Sequence, residues 1–145
     1  MRSSNSGSCR LPSLKGIHNG RQLLLQVAVL GSDNPTDLSC VDGRALLDTG
    51  STVSGIGPSI VKKLGLQSYG KRLLGSATEL RMVDYFFFRI GLFGIASGPI
   101  PYIFAELDGF GWPESKGFDV ILGMDVLGQC DVDMRRDGSW SLTFG

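Results

Sequence analysis

Along most of this chain the apolar residues fall in short alternating runs or continuous blocks, cut by glycine-rich breaks. That is the pattern of many strands and few helices. Residues 22–30 (QLLLQVAVL) read as a first strand, and 31–37, with Gly, Ser, Asp, Asn and Pro, as a loop. Cys40–Leu47 is a second strand, with Asp42-Gly43 as a possible turn or bulge inside it. Three glycines among residues 48–57 predict a tight loop. Pro58–Leu64 places Ile60, Val61 and Leu64 around Lys62 and Lys63, opens on proline and is followed by Gly65, so it predicts a short helix.

Further on, residues 73–78 carry Gly75-Ser76-Ala77 and read as a mobile turn. Residues 82–93 form a long β-type run with four consecutive aromatics at 85–88. Gly98 and Pro99 break the pattern, 100–107 predicts another strand, and 108–117 predicts a Gly/Pro loop. Residues 118–122 are the continuous apolar kind of strand that is buried on both faces. Met124–Leu127 has room for a single helical turn, and 139–144 alternates as a last strand. Asp131 and Asp133 read as a solvated face or turn, and Asp137-Gly138-Ser139 as a hairpin turn. No internal repeat appears.

Composition narrows this to one globular, all-β domain. The chain has 145 residues, 42 % of them hydrophobic and 19 % charged, enough to bury a core. Formal net charge is zero and no Lys/Arg block occurs, so nucleic acid and anionic membrane are not expected partners. No apolar run reaches the ~18 residues of a membrane span; the longest is interrupted by Arg89. Residues 1–20 read as a flexible polar tail ahead of a domain at 21–145. The Ser-rich start has no apolar core of a secretory signal, which predicts a cytoplasmic protein. The three cysteines (Cys9, Cys40, Cys130) have no C-x-x-C spacing and read as free thiols, and His18 is the lone histidine. No metal site and no cofactor is expected.

One stretch carries chemistry. The strand Ala45-Leu46-Leu47 runs into Asp48-Thr49-Gly50-Ser51, the only Asp-Thr-Gly in the chain. Two carboxylates one hydrogen bond apart share a proton, because both cannot easily ionise. The ionised one takes a proton from water, and the protonated one supports the carbonyl under attack.

A second motif, Val120-Ile121-Leu122-Gly123-Met124-Asp125-Val126-Leu127, follows about 75 residues later. Together the two resemble the retropepsin-like aspartic proteases, the single-lobe relatives of pepsin found in retroviruses, retroelements, eukaryotic Ddi-type proteins and bacteria. The likeness spans residues 22–144. It implies an acid-protease lobe with one or two short helices, active as a homodimer on extended peptide or protein substrates. Asp48 takes the place of the catalytic carboxylate. Thr49 takes that of the residue bracing the two loops across the dimer, and Gly50 that of the backbone contact to substrate. Ile121, Leu122 and Gly123 form the supporting strand beneath the Asp loop. The flap is expected between helix and aromatic strand, with Gly75, Ser76, Ala77 and Thr78 at its tip. By analogy with pepsin-like enzymes, the Ser51 hydroxyl is expected to donate to Asp48.

The chain departs from the viral pattern. Viral enzymes usually carry Ala and then an acidic residue after Asp-Thr-Gly, where Ser51 and Thr52 stand here, and often Arg where Met124 stands. The ion pair that braces viral dimers is thus not expected, and the cellular and bacterial branches are the better match. Asp125 reads as structural. Two rival readings accompany the endopeptidase: a non-catalytic module of the same fold that dimerises or binds peptides, and a protease limited to processing its own precursor.

Overall fold

The structure is a computed structural model, and it describes residues 11–75, 78–95, 100–114 and 116–145. Eleven strands and two short helices are assigned among them: β1 (Ser13–Ile17), β2 (Leu24–Gly31), β3 (Cys40–Leu47), β4 (Gly55–Ile56), α1 (Pro58–Leu64), β5 (Gly70–Gly75), β6 (Leu80–Leu92), β7 (Tyr102–Ile103), β8 (Leu107–Gly111), β9 (Val120–Leu122), α2 (Met124–Leu127), β10 (Asp131–Met134) and β11 (Ser139–Thr143). The all-β expectation holds, as do the bounds of β3, α1 and α2.

The larger sheet runs β2-β3-β9-β4-β8-β6-β5, with β7 on β6 and β2 also paired to β6. Its decisive feature is β9. That strand lies between β3 and β4, parallel to the first (Leu46 opposite Ile121) and antiparallel to the second (Gly55 opposite Ile121). The chain leaving β3 must therefore loop across the end of β9 to reach β4. That crossing is residues 48–54. Val120 and Leu122 are fully buried and point into the main core with Leu25, Val27, Ile60, Phe88, Ile90 and Trp140. Ile121, on the opposite face, packs with Val53, Leu74 and Phe118 against a second cluster of Val83, Tyr85, Phe110 and Trp112.

α1 forms as its sequence dictates. Pro58 opens it, Ile60 is its buried residue, Lys62 and Lys63 sit in the last turn, and Gly65 closes it in the left-handed region at φ 63°. Arg89, mid-strand in β6, is a buried cation. Its guanidinium is satisfied by four loop carbonyls, those of Gly31, Asn34, Pro35 and Asp37, at 2.7–3.3 Å. The break in the apolar run is thus a pin that shapes the 31–37 loop.

Several expectations are corrected. The polar segment 1–20 does not lie wholly outside the sheets: Ser13–Ile17 pairs with β11, and Gly16 makes this possible by lying flat against the Trp140 ring, where a Cβ would sit 2.6 Å from it. The 73–78 turn begins later, because 70–75 is a strand running along β6. β5 itself is exposed at five of its six residues, so no buried stripe marked it. Of the expected 100–107 strand, Tyr102–Ile103 is realised as β7 and Leu107 already opens β8. Part of the expected 108–117 loop is β8, whose glycines serve packing: a Cβ on Gly109 would lie 2.3 Å from the Ser54 carbonyl, and one on Gly111 2.6 Å from Phe86. Asp131 and Asp133 lie on a strand, β10, and are solvated there. The 135–138 turn beyond it is the expected hairpin, with Gly138 at φ 99° and the Ser139 amide and hydroxyl holding the Asp137 carboxyl below its usual range. Among the described residues no helix is long and apolar enough to cross a membrane.

Candidate active site

Asp48 follows directly on β3, and its turn is tied down from both sides. The Asp48 N–H donates to the Leu122 carbonyl at 3.0 Å, extending the β3–β9 ladder one step past the strand. The Ser51 N–H closes the turn on the Asp48 carbonyl at 3.2 Å. The Gly50 N–H donates to Asp48 Oδ1 at 2.9 Å, which fixes the rotamer of the carboxylate. A Cβ on Gly50 would come within 3.2 Å of that same oxygen. Asp48 is half-buried, while Thr49 and Gly50 are exposed at the crest of the turn.

The rest of the crossing loop is bolted to the segment after β9. The Met124 and Asp125 N–H groups donate to the Ser51 and Thr52 carbonyls at 2.8 and 3.2 Å. Gly123 sits under this loop: a Cβ there would lie 2.5 Å from the Val53 carbonyl oxygen and 2.8 Å from that of Ser51. Only a residue without a side chain lets the loop lie on β9 this closely, so the glycine of the second motif has a steric reason. At the centre stands Ser54, fully buried. Its hydroxyl accepts from the Gly123 N–H at 3.0 Å and donates to Asp125 Oδ1 at 2.6 Å, while its own N–H donates to Asp125 Oδ2 at 2.9 Å. Asp125 is thus a brace for the loop, in keeping with its structural reading. Ser54 went unnoticed in the sequence; a small polar residue between Val53 and Gly55-Ile56 was the available signal.

The Ser51 expectation is corrected. Its hydroxyl donates to the Val53 carbonyl at 2.7 Å, two residues on, so it serves the loop and not Asp48. Of the expected flap tip, Gly75 ends β5 and Thr78 lies in the β5–β6 connection, with Gly75 paired to Leu80. Ser76 and Ala77 lie outside the described residues. Ile121 and Leu122 are on β9, and Gly123 is the residue just before α2.

The base of the β5–β6 hairpin is clasped. Asp108 accepts from both the Tyr69 hydroxyl and Arg72 Nη2, and the Arg72 guanidinium lies over the rings of Tyr69 and Tyr85 at 5.4 and 4.8 Å. Burial and the Asp108 carboxylate push the Tyr69 hydroxyl pKa up. A cavity of about 310 Å³ opens between α1 and the hairpin, lined by Val61, Lys71, Met82, Phe86 and Trp112 among others; no residue of the Asp48 loop lines it.

The chain superposes on a retropepsin-like aspartic protease from Rickettsia conorii with a TM-score of 0.63 over 93 % of each chain, at 12 % identity. The chain has a retropepsin-like fold. The retroviral protease-like domain of Ddi1 from Leishmania major also aligns, at a TM-score of 0.41 and 16 % identity over 79 % of this chain and 82 % of that one; no argument rests on it. No protein-family model and no curated protein matches the sequence. At this identity the shared feature is the fold. Within the retropepsin-like lobe, what this chain contributes itself is one half-buried Asp48 on a rigid, exposed turn.

Proposed function

We propose that this chain is an aspartic endopeptidase that acts as a homodimer, its reacting pair being Asp48 and the partner's Asp48. The observation that carries the reading is the Asp48 turn: the chain's only Asp-Thr-Gly, held at its start by β9 and at its crest by the Gly50 N–H, with the carboxylate partly open to solvent. Rigid positioning of this kind is what general acid–base work requires. Two such turns meeting across a two-fold axis bring two carboxylates together with one proton between them. The ionised member activates a water, and the protonated member donates to the substrate carbonyl. The water oxygen bonds to the carbonyl carbon, and the resulting diol collapses as the amine leaves with a proton.

The β5–β6 hairpin is the flap in this reading, with Gly75, Ser76, Ala77 and Thr78 at its tip. Its inner residues Leu74 and Val83 pack in one cluster with Val53 and Ile121, beside the Asp48 loop. Leu73, Leu80 and Met82 are exposed on the hairpin, apolar surface fit to close on an apolar peptide. Substrates are extended peptides with apolar residues flanking the cut.

The test is cleavage of a mixed peptide library by purified protein beside its Asp48→Asn form. Loss of all cleavage in Asp48→Asn, with activity falling on dilution, is the expected result. Peptide binding without cleavage by wild type would favour the non-catalytic module, and cleavage confined to a longer precursor would favour self-processing. Full cleavage by Asp48→Asn would refute the proposal.

A further inference from the structure

The cavity between α1 and the β5–β6 hairpin stands apart from the Asp48 loop, and its lining has a chemistry of its own. Its volume of about 310 Å³ is at the small end of ligand sites, enough for one large side chain and its backbone. The walls are apolar: Val61 on α1, Met82 and Phe86 on β6, and Trp112 just after β8. Phe86 and Trp112 are buried, whereas Met82 is 55 % exposed. The charged residues around it are three cations, one from each element: Lys62 on α1, Lys71 on β5 and Arg81 on β6. Asp84 is the single acidic residue that lines it. Asp84 holds Lys71 at 3.1 Å, and Glu114 holds Arg81 at 3.0 Å. Lys62 has no carboxylate partner among the described residues. The chain as a whole has zero formal charge, so this positive excess is local. An apolar chamber with an unanswered ammonium beside it suits an apolar group that carries a carboxylate.

We propose that this cavity binds the C-terminal residue of a peptide, its apolar side chain among Val61, Phe86 and Trp112 and its α-carboxylate at Lys62. The proposal rests on the protease reading for the source of that ligand. Cutting beside apolar residues leaves one product of each pair with an apolar last residue and a new carboxylate. The same residue inside an uncut substrate has the side chain but no charge, so the cavity tells product from substrate. A product bound here leaves Asp48 free, because no residue of the Asp48 loop lines the cavity. Its effect passes through the hairpin. The occupant touches α1 on one side and β5 and β6 on the other, and so ties the flap to the helix. Accumulating product then restrains the flap and slows turnover.

Binding is measured on the full chain as Asp48→Asn, which removes cleavage from the experiment. The probes are N-acetyl-Ala-Phe as the free acid and as its C-terminal amide, followed by ligand-observed NMR at pH 7. The acid should bind with a Kd of about 0.1–1 mM. The amide should bind about tenfold more weakly, having lost the charge. Lys62 is exposed and has no ion pair to lose, so Lys62→Glu keeps the fold; it should weaken the acid about fivefold or more and leave the amide as it was. In the chain with Asp48 intact, the acid should lower kcat about twofold or more with KM little changed, and the Lys62→Glu form should not respond. Acid and amide binding alike overturns the site, and so does acid binding that Lys62→Glu leaves unmoved. An acid that raises KM alone competes in the Asp48 cleft, which overturns the regulatory role. Peptide cleavage by a chain that does not bind the acid overturns this inference and leaves the protease standing. Binding by a chain that cuts nothing keeps the site and overturns its role as a product sensor together with the protease reading.

Discussion

Removing the Asp125 carboxylate is the sharpest test of how the site is held. Asp125→Ala deletes both acceptors of Ser54, at 2.6 Å from its hydroxyl and 2.9 Å from its N–H. Ser54 is fully buried, so its N–H is left without a partner. A hydrogen bond to a charged group contributes about 1.5–3 kcal/mol, and a stranded buried donor costs about 1–3 kcal/mol. Asp125 is half-buried, so water can enter the vacated space and recover part of this. The net expectation is a loss of about 2–4 kcal/mol, or about 6–12 °C in Tm for a chain of this size. Urea unfolding followed by Trp112 and Trp140 fluorescence measures it, with the m-value expected to stay constant. Ser54→Ala and the double variant complete a cycle whose coupling should be at least about 1 kcal/mol. In the cold, where Asp125→Ala is still folded, kcat/KM should fall by about tenfold or more, because the loop carrying Asp48 loses its anchor. A stability loss below about 0.5 kcal/mol, or an additive cycle, would refute the claim that this network holds the loop.

Asp48→Asn should leave Tm within about 2 °C of wild type, since its oxygen can still accept from the Gly50 N–H, while abolishing cleavage; the pair of measurements separates chemistry from folding. Gly123→Ala should destabilise by several kcal/mol, about 3 or more, because its Cβ would press on the Val53 carbonyl; an unchanged urea midpoint would contradict the close crossing. Ser51→Ala should cost about 1 kcal/mol of stability and leave the pH–rate profile in place, as its hydroxyl is bound to Val53; a displaced profile would mean that it reaches Asp48 in the active assembly. Burial pushes the Cys130 thiol up to about 11, so at pH 8 iodoacetamide should modify exposed Cys40 well before Cys130. The sign is that of a raised acid: the stability it confers is present below pH 9.0 and is lost as the pH climbs toward 11, read as a falling urea midpoint that Cys130→Ala lessens.

Elements with a strong local signal were readable in the chain: α1 by its proline, lysines and Gly65, β3 and β9 by their apolar runs. The two motifs about 75 residues apart were readable because each is a steric necessity of one crossing, the Asp turn above and Gly123 below. What escaped was what tertiary packing decides. β8 carries two glycines and looked like a loop, yet those glycines are there for the Ser54 carbonyl and the Phe86 and Phe88 rings. Neither β1 nor β5 carries a fully buried residue, and only their pairing partners make them strands. The Ser51 hydroxyl had two acceptors within reach of reasoning, and the nearer backbone carbonyl took it. Ser54 looked like an unremarkable loop residue because the partner that gives it meaning, Asp125, lies 71 positions away.

Under the proposed homodimeric reading, the same network accounts for the need for a second lobe. The acidic groups carried by the segments around the Asp48 turn are already committed: Asp125 to Ser54, and Asp119 to the Arg44 N–H at 3.0 Å. Both hold the crossing together, and drawing either toward Asp48 would undo it. In that reading a second carboxylate has to arrive from outside the lobe, without loosening the loop it approaches.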